Sequence, residues 1–321
     1  DGSPIDGATS GTYTLTQTDV GSAITVNVSY TDGFDNDESV TSAATSFVAN
    51  VDDDPTGTVS ISGTPTQGQV LTASNTIADQ DGMTSATVAY QWKRDGNTIA
   101  GATNSTYTLT QDDVDSAITV TASYTDDQGT DESVTSAATS LVANVDDAPT
   151  GAVTISGTPT EDEVLTADTS TLADDDGLGA FSYQWKRDDV DIDGETDSTY
   201  TLTQTDVGSA ITVNVSYTDG FDNDESVTSA ATSFVANVDD DPTGTVSISG
   251  TPTQGQVLTA SNTIADQDGM TSATVAYQWK RDGNTIAGAT NSTYTLTQDD
   301  VDSAITVTAS YTDDQGTDES V

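Results

Sequence analysis

The stretch "ITVNVSYT", Ile24–Thr31, indicates how this chain folds. Every second residue is apolar: Ile24, Val26, Val28 and Tyr30. Hydroxyl and amide side chains stand between them, so an extended backbone carries an apolar row on one face and a polar row on the other. The stretch therefore predicts a β-strand with one buried face.

The same alternation recurs along the chain, and turn-forming clusters separate the runs. It is present in "GTVSISG", with Val59 and Ile61, and in "AYQWKRD", with Tyr90 and Trp92. The separating clusters include "GTPTQGQ", "ADQDGM", "RDGN" and "DDQGTDE", which are rich in turn residues. No segment has a helical period. About seven short strands in about 100 residues is typical of an immunoglobulin-like sandwich.

The sequence is an array of repeats. Val51, Val145 and Val238 open equivalent segments, at spacings of 94 and 93 residues. The stretch Thr12–Val134 recurs letter for letter as Thr199–Val321. Repeats of domain size that alternate between two versions therefore make up the chain.

We predict an all-β fold of tandem immunoglobulin-like β-sandwich domains in an extended rod. The predicted segments are a partial domain (the C-terminal half of a unit) at 1–50, domains at 51–144 and 145–237, and a domain lacking its last strand at 238–321. Because the sequence begins in the middle of a unit, it looks like an internal piece of something larger. In the half unit, we expect nothing to cover the sheet edges and the core face.

The composition is strongly acidic, with 53 Asp and Glu against 6 Lys and Arg and a formal net charge of −47. Such a surface repels nucleic acid and anionic membranes, so neither is expected as a partner. No apolar run is long enough to insert directly into a bilayer. Cysteine and histidine are absent, which removes disulfides, thiolate metal sites and the commonest general base. With no catalytic constellation in the sequence, we expect no enzyme activity.

Carboxylate-rich linkers stand at the repeat boundaries. They read "VANVDDDPTG" at Val48–Gly57, "VANVDDAPTG" at Val142–Gly151 and "VANVDDDPTG" at Val235–Gly244. Two like charges about 6 Å apart repel by about 0.7 kcal/mol in water, and several-fold more near a protein surface. Such clusters are costly unless a cation lies among them. The proline in each linker restricts the backbone and favours a stiff, short junction.

Sandwich topology brings two acidic loops to the same end of a domain as the start of its first strand. They are the B–C loops, "ADQDG" and "ADDDG", and the F–G loops, "DDQGTDE" and "DGFDNDE". A cage of oxygen ligands without histidine or cysteine suits a hard cation, and six to eight oxygens indicate calcium. The predicted Ca²⁺ ligands are Asp52, Asp53, Asp54, Asp79, Asp81, Asp126, Asp127, Asp146, Asp147, Asp174, Asp176, Asp219, Asp239, Asp240, Asp241, Asp266 and Asp268. The alternative is that these segments are only soluble, turn-forming loops.

Several motifs resemble a known family. "YQWKRDG" looks like the third strand of an immunoglobulin domain with its core tryptophan, and "LTQTDVGSAITV", Leu15–Val26, is similar to the E–F corner of that fold. The corner departs from the pattern, because Ala23 and Ile24 stand where a tyrosine and its neighbour are usual. The whole repeat resembles the tandem bacterial immunoglobulin-like domains of giant secreted adhesins, including the repeats-in-toxin type. The linkers also look like the calcium-binding junctions of cadherins.

This resemblance implies a structural role outside the cell. The chain would be an extender segment of a bacterial cell-surface adhesin, and Ca²⁺ in the linkers would make it rigid. Its partners would be the neighbouring immunoglobulin-like repeats of the same chain, while another part of the parent protein would bind the distal ligand. The alternative function is a carbohydrate- or ice-binding tandem immunoglobulin-like module.

Two motifs separate these alternatives. A tyrosine two residues earlier shares a strand face with each tryptophan, so core packing is favoured over stacking on a sugar for Trp92, Trp185 and Trp279. A threonine row can form a hydroxyl lattice for ice or carbohydrate, but threonine is also an ordinary solvent-facing strand residue. One such row is Thr12, Thr14 and Thr16.

Two further motifs are predicted to be structural. All the cations of the chain lie in three Lys–Arg pairs, which we expect to contact carboxylates rather than bind an anion: Lys93–Arg94, Lys186–Arg187 and Lys280–Arg281. The E–F corner carries one aspartate per repeat, expected to accept hydrogen bonds from local backbone amides. These are Asp19, Asp113 and Asp206.

Overall fold

The computed structural model describes residues 2–321, and its regular secondary structure is β throughout. Within that range the helical segments are four single 3₁₀ turns: Gln17–Asp19, Gln111–Asp113, Gln204–Asp206 and Gln298–Asp300. The predicted all-β, immunoglobulin-like class is therefore confirmed. The chain divides into two compact units, one ending at Asp146 and the other spanning Asp147–Val321.

Between residues 2 and 146, the first unit contains three antiparallel sheets. Its strands are β1 (Asn27–Thr31), β2 (Asp37–Thr41), β3 (Val59–Ser62), β4 (Val70–Asn75), β5 (Ala89–Arg94), β6 (Asn97–Thr98), β7 (Thr106–Thr108), β8 (Ile118–Thr125) and β9 (Asp131–Thr135). β1 and β2 form a hairpin, and the other two sheets have the orders β3-β4-β7 and β6-β5-β8-β9. A three-stranded and a four-stranded sheet in these orders form one immunoglobulin-like sandwich.

The second unit contains the same pair of sheets twice. Its strands are β10 (Thr154–Ser156), β11 (Val164–Asp168), β12 (Ser182–Arg187), β13 (Val190–Asp191), β14 (Thr199–Thr201), β15 (Ile211–Thr218), β16 (Asp224–Thr228), β17 (Val246–Ser249), β18 (Val257–Asn262), β19 (Ala276–Arg281), β20 (Asn284–Thr285), β21 (Thr293–Thr295), β22 (Ile305–Thr312) and β23 (Asp318–Ser320). The sheet orders are β10-β11-β14 with β13-β12-β15-β16, and β17-β18-β21 with β20-β19-β22-β23. The strand pattern therefore follows the sequence repeat.

The apolar rows form the cores, as the alternation predicts. Along β8 the inward residues Ile118, Val120, Ala122 and Tyr124 are buried. The three tryptophans are fully buried, at 0% exposure: Trp92, Trp185 and Trp279. The indole Nε1 of Trp92 donates to the backbone oxygen of Asn104 (2.8 Å), which satisfies its polar atom inside the core. The prediction of core packing is confirmed, and no tryptophan face is open to a sugar.

Residues 2–321 contain three separate cores, within 59–142, 153–235 and 258–307. Each of the first two includes a late valine, Val142 or Val235, which is almost fully buried. The third has fewer buried residues, namely Leu258, Ala260, Trp279 and Leu296. The three domain boundaries set from the repeat, after residues 50, 144 and 237, remain a prediction.

The hairpin of β1 and β2 exposes its apolar row. Val26 and Val28 are 56% and 58% exposed, whereas Val120 and Ala122 at the same repeat positions are at 0%. In the next repeat, the opposite sheet of β3, β4 and β7 packs on the equivalent face. Among residues 2–321, no helix has the length and apolar character needed to cross a membrane.

Candidate metal centre

The B–C loop of the first sandwich is fixed by hydrogen bonds to Asp79. The backbone N–H of Asp81 donates to Asp79 Oδ1 (2.9 Å), and the Tyr124 hydroxyl donates to Asp79 Oδ2 (2.6 Å). Such a bond two residues along the chain is an Asx turn. The turn directs Asp81 toward the linker, where the N–H of Asp53 donates to Asp81 Oδ2 (2.8 Å).

The F–G loop closes around Asp126 in a similar way. Asp126 Oδ1 accepts the N–H groups of Gln128 (2.9 Å) and Thr130 (2.8 Å). Asp126 is only 5% exposed, and its second oxygen, Oδ2, is buried without a hydrogen-bond partner among residues 2–321. A buried carboxylate oxygen without a partner is costly and needs an explanation.

Linker and loops meet at three carboxylates. One oxygen each from Asp52, Asp81 and Asp126 lies within 4.8 Å of the others. Asp81 and Asp126 are buried, whereas Asp52 is exposed. The donors are all carboxylate oxygens, which are the ligands that calcium takes, and calcium accommodates irregular geometry. A cation among them would supply the missing partner of Asp126 Oδ2, so these residues fit Ca²⁺.

The same arrangement recurs in the second unit, at Asp239, Asp268 and Asp313. The N–H of Asp240 donates to Asp268 Oδ2 (2.7 Å). Asp313 Oδ2 is again buried without a hydrogen-bond partner in the described range. Asp313 was not among the predicted ligands, although it stands at the position of Asp126 in the duplicated sequence and the repeat offset identifies it.

The sandwich that begins after Asp146 repeats the loop geometry. The N–H of Asp176 donates to Asp174 Oδ1 (2.9 Å), and the N–H of Asp147 donates to Asp176 Oδ2 (2.7 Å). In the F–G loop, Asp219 Oδ1 accepts backbone N–H groups, but its Oδ2 accepts the amide of Asn223 (2.9 Å). Both carboxylate oxygens of Asp219 therefore have hydrogen-bond partners, whereas Asp126 Oδ2 has none in the described residues.

The remaining predicted ligands have other environments. Asp127 accepts four hydrogen bonds, from the backbone and hydroxyl groups of Thr84 and Ser85. These bonds hold the pKa of its carboxyl well below the usual range, and they connect the B–C loop to the F–G loop.

Asp266 accepts hydrogen bonds from Asp268 N–H and the Tyr311 hydroxyl, as Asp79 accepts them from Asp81 and Tyr124 in its own repeat. Three linker positions are exposed at the surface: Asp54, Asp146 and Asp241.

Residues from the preceding repeat also reach these centres, and sequence patterns did not reveal them. The Gln17 side chain donates from Nε2 to Asn50 Oδ1 (3.1 Å) and to Asp81 Oδ1 (2.7 Å). At the duplicate position, the Gln204 side-chain amide lies 2.9 and 2.7 Å from the two carboxylate oxygens of Glu161, and the amide orientation that satisfies hydrogen bonding directs its nitrogen to them. Both glutamines lie in 3₁₀ turns, where a sequence gives no signal for a long-range contact.

Glu161 adds a carboxylate that only one version of the repeat supplies. Its segment reads "TPTEDEV", whereas the other version reads "TPTQGQV" with Gln67 at the same position. Glu161 is 4% exposed, and it lies with Asp240 and Asp268 in a second group whose oxygens are within 4.8 Å of one another. Both groups of this junction therefore share Asp268.

The carboxylate groups create a strongly negative local field. The pKa of Glu132 is raised by burial and by Asp52 and Asp79, and the pKa of Glu319 is raised by burial and by Asp239. Burial, Asp268 and other aspartates raise the pKa of Asp240. In each of the two units, burial and neighbouring carboxylates therefore oppose the ionisation of an acid in the metal-free fold.

The metal-free protein is expected to be most stable near pH 5. An acid whose pKa is higher in the folded state than in the unfolded state stabilises the fold while it is protonated. For Glu132 and Glu319 this contribution is fully present below their ordinary pKa of 4.5. It is lost as the pH rises through the folded-state pKa. The folded state lowers the pKa of Asp127 and Asp314. Their contribution to stability is therefore present above their ordinary pKa of 3.8, and it is lost as the pH falls through the folded-state pKa. Thermal unfolding in chelator from pH 8 to pH 3 measures this, and a melting temperature that falls steadily from pH 7 to pH 5 would contradict it.

A second polar cluster lies in the E–F corner and is structural. Asp206, at 0% exposure, accepts Arg187 Nε (2.7 Å), the Tyr200 hydroxyl (2.7 Å) and Thr203 N–H (2.8 Å). The predicted pairing of cations with carboxylates is confirmed for the three arginines, and so is the bond from each corner aspartate to a backbone amide. The sequence did not identify the tyrosines that complete the corners: Tyr13, Tyr107, Tyr200 and Tyr294.

Comparison with family models gives no match. Among curated proteins, the "Highly immunogenic outer capsid protein" of Enterobacteria phage T4 is 31% identical over 240 residues, which are 70% of this chain and 61% of the phage protein. The chain therefore spans less than two thirds of that protein. The likeness covers most of the repeat array and does not establish a shared function.

Two solved structures of adhesins are distantly similar. One is described as "Ca2+-stabilized adhesin helps an Antarctic bacterium reach out and bind ice" (15% identity, TM-score 0.28, 93% of this chain and 80% of that chain). The other is a tetra-tandem repeat in the extending region of a large adhesion protein (20% identity, TM-score 0.27, 94% and 80% coverage). At such values no property of those proteins transfers to this chain. What its own structure shows is a series of immunoglobulin-like sandwiches with recurrent carboxylate groups where linker and loops meet.

Proposed function

We propose that the chain is an extender segment of a bacterial cell-surface adhesin, and that Ca²⁺ at its linkers makes it rigid. The observation that carries this proposal is the convergence of Asp52, Asp81 and Asp126, with a buried Oδ2 that has no hydrogen-bond partner in the described residues. Its recurrence at Asp239, Asp268 and Asp313 favours a built site over a chance cluster of surface acids.

The arrangement explains how a metal would stiffen the chain. The linker contributes Asp52, while two loops of the following sandwich contribute Asp81 and Asp126. Gln17 belongs to the preceding repeat and donates to Asp81, so both sides of the linker contact one carboxylate. Bound Ca²⁺ would neutralise the mutual repulsion of these groups and hold the linker against the loops.

The expected affinity matches the medium outside cells. Extracellular calcium modules have dissociation constants of about 10⁻⁴ to 10⁻³ M, so such sites would fill in calcium-rich surroundings and empty where calcium is scarce. In this proposal the repeats contact one another along the chain, and the array projects a distal ligand-binding region of the parent protein.

Small-angle scattering with and without calcium tests the proposed stiffening. Chelation is expected to lower the maximum dimension of the full chain, since repelling linkers are then no longer held by a metal, and added calcium is expected to restore it. Magnesium at the same ionic strength is the control for simple charge screening. An equally long particle in chelator would show that the prolines and packing suffice, and would exclude the calcium lock.

A second candidate function is display on a virus capsid, which the 31% identity to the phage outer capsid protein favours. In that case the array would extend from a capsid rather than from a cell. Co-sedimentation of the chain with phage heads distinguishes the two: specific, saturable binding supports the capsid role, and its absence leaves the adhesin role.

A further inference from the structure

The Val-Ala-Asn segment that precedes a linker is anchored in the core of its repeat. In one repeat, the side chain of Val142 is 1% exposed and belongs to the core, and its N–H donates to Ser116 O (3.0 Å). In the next repeat, Val235 is 3% exposed, and its N–H donates to Ser209 O (2.9 Å). A buried side chain and a backbone bond therefore fix this segment in both repeats.

The residue after Val142 pairs with a segment near the start of the same repeat. Ala143 N–H donates to Pro65 O, and Gln67 N–H donates to Ala143 O, each at 3.0 Å. This pairing is parallel, with Thr66 opposite Ala143. The Gln67 side chain also accepts the N–H of Val145 through Oε1 (3.0 Å). The paired region therefore reaches the first residue of the linker.

The next repeat has the same parallel pair. Ala236 N–H donates to Pro159 O, and Glu161 N–H donates to Ala236 O, each at 2.9 Å, with Thr160 opposite Ala236. Glu161 takes the place of the glutamine and accepts the N–H of Val238 through Oε2 (3.3 Å). Both versions of the repeat therefore join their start to their end by two backbone bonds and one side-chain bond.

Tension along the chain pulls on a repeat through the residues that precede and follow it. Segment 65–67 lies toward the start of its repeat, and segment 142–145 lies at its end. Because the two segments are parallel, tension pulls them in opposite directions along their common axis. The hydrogen bonds cross from one segment to the other. Such a pull therefore shears all of these bonds together instead of opening them one after another.

We propose that each parallel pair is the force-bearing clamp of its repeat. One clamp joins 65–67 to 142–145, and the other joins 159–161 to 235–238. The clamp sets the tension that a repeat carries before it unfolds, whether the chain is anchored to a cell or to a capsid. It differs from the proposed calcium lock, because the bonds of the first clamp come from backbone groups and one glutamine side chain and need no metal.

The residues just before the clamp pair with a strand that neither linker continues. Thr139 N–H donates to Ile118 O (3.0 Å), and Ile118 N–H donates to the Thr139 hydroxyl (3.0 Å). Ile118 begins β8, which lies inside the repeat in sequence. These bonds stabilise the fold at equilibrium, but they carry the load only after the clamp has separated.

Single-molecule unfolding at constant force tests the proposal, with the full chain held by its two ends in chelator. Each of the repeats 51–144 and 145–237 releases about 300 Å of chain when it unfolds, which identifies its event. Ala143→Pro removes the N–H that bonds Pro65, and the alanine side chain is exposed, so no core contact is lost. We expect the unfolding rate of one repeat at a fixed force to rise about tenfold, while the other repeat keeps its rate. Ala236→Pro should do the same to the other repeat.

Thr139→Pro is the matched control, because it also removes a backbone donor from the same extended segment. It should lower the equilibrium stability in urea, as Ala143→Pro does, but change the rate at fixed force by less than about twofold. Gln67→Ala keeps every backbone bond and removes only the acceptor of Val145 N–H. It should raise the rate about threefold, and it provides the test if near-UV circular dichroism shows that the proline variant does not fold.

Two results would overturn the proposal. One is an unchanged rate at fixed force in folded Ala143→Pro or, where that variant does not fold, in Gln67→Ala. The other is a rate that Thr139→Pro raises as much as Ala143→Pro, because the load would then be spread over the whole segment. Since chelator is present throughout, either result leaves the calcium lock to be judged separately by scattering.

Discussion

Calcium added to the metal-free chain is expected to raise its melting temperature by about 10 °C. A ligand at ten to one hundred times its dissociation constant stabilises the folded state by about 1.4 to 2.7 kcal/mol per site. For a repeat of this size, 1 kcal/mol corresponds to about 4 to 8 °C. The gain arises because Asp126 Oδ2 and Asp313 Oδ2 find a partner and the repulsion within each group is neutralised.

Asp126→Asn with Asp313→Asn separates metal binding from loop structure. Asparagine keeps the Oδ1 acceptor that holds the F–G loop and replaces the oxygen that has no hydrogen-bond partner. The variant should lose most of the calcium-induced shift and be at least as stable as the parent chain in chelator, since two charges have left crowded carboxylate groups. Scanning calorimetry with a calcium titration measures both.

Asp193 is an exposed aspartate outside the carboxylate groups. Asp193→Asn is therefore the control, and it should keep the full calcium-induced rise in melting temperature. A parent chain whose melting temperature is the same in calcium and in chelator would rule out binding at these carboxylates. A variant that loses stability equally in both solutions would assign Asp126 and Asp313 a purely structural role.

Asp206→Ala is expected to destabilise its repeat by about 3 to 5 kcal/mol, the range for removing one partner of a buried ion pair. Asp206 is at 0% exposure and receives Arg187, the Tyr200 hydroxyl and the N–H of Thr203. The substitution removes the acceptor of the buried Tyr200 hydroxyl, of the Thr203 N–H and of the Arg187 guanidinium, whose side chain is 29% exposed. A buried donor left without an acceptor is costly.

Urea unfolding followed by tryptophan fluorescence measures this loss, because Trp185 packs against Tyr200 of the same corner with ring centroids 5.7 Å apart. Asp193→Ala, on the surface, is expected to change stability by less than about 0.5 kcal/mol. A loss below about 1 kcal/mol for Asp206→Ala would mean that the corner relaxes or admits water.

The repeat and the strand alternation were sufficient to predict the fold class. Inward positions of β8 alternate because a strand has a period of two, and this local rule holds wherever one face is buried. Burial of the tryptophans followed from the same rule. The exact duplication places Asp313 at the position of Asp126, although Asp313 was not among the predicted ligands.

The sequence also identified which segments carry the carboxylates, but not which oxygens meet. Asp126 and Asp127 are neighbours in one loop, yet Asp126 faces Asp52 and Asp81, whereas Asp127 is held by Thr84 and Ser85. Composition cannot separate them, because both are aspartates in a turn.

What the sequence by itself determined is therefore local: strand faces, turn positions, the acidic linkers and the period of the array. The tertiary structure alone decided which loops converge, that Gln17 reaches Asp81, and that a tyrosine and an arginine share Asp206. These contacts join residues far apart in the chain. Which residues meet depends on how the two sheets pack and on which donors lie within hydrogen-bonding distance of each oxygen. Neither can be read from a short sequence period.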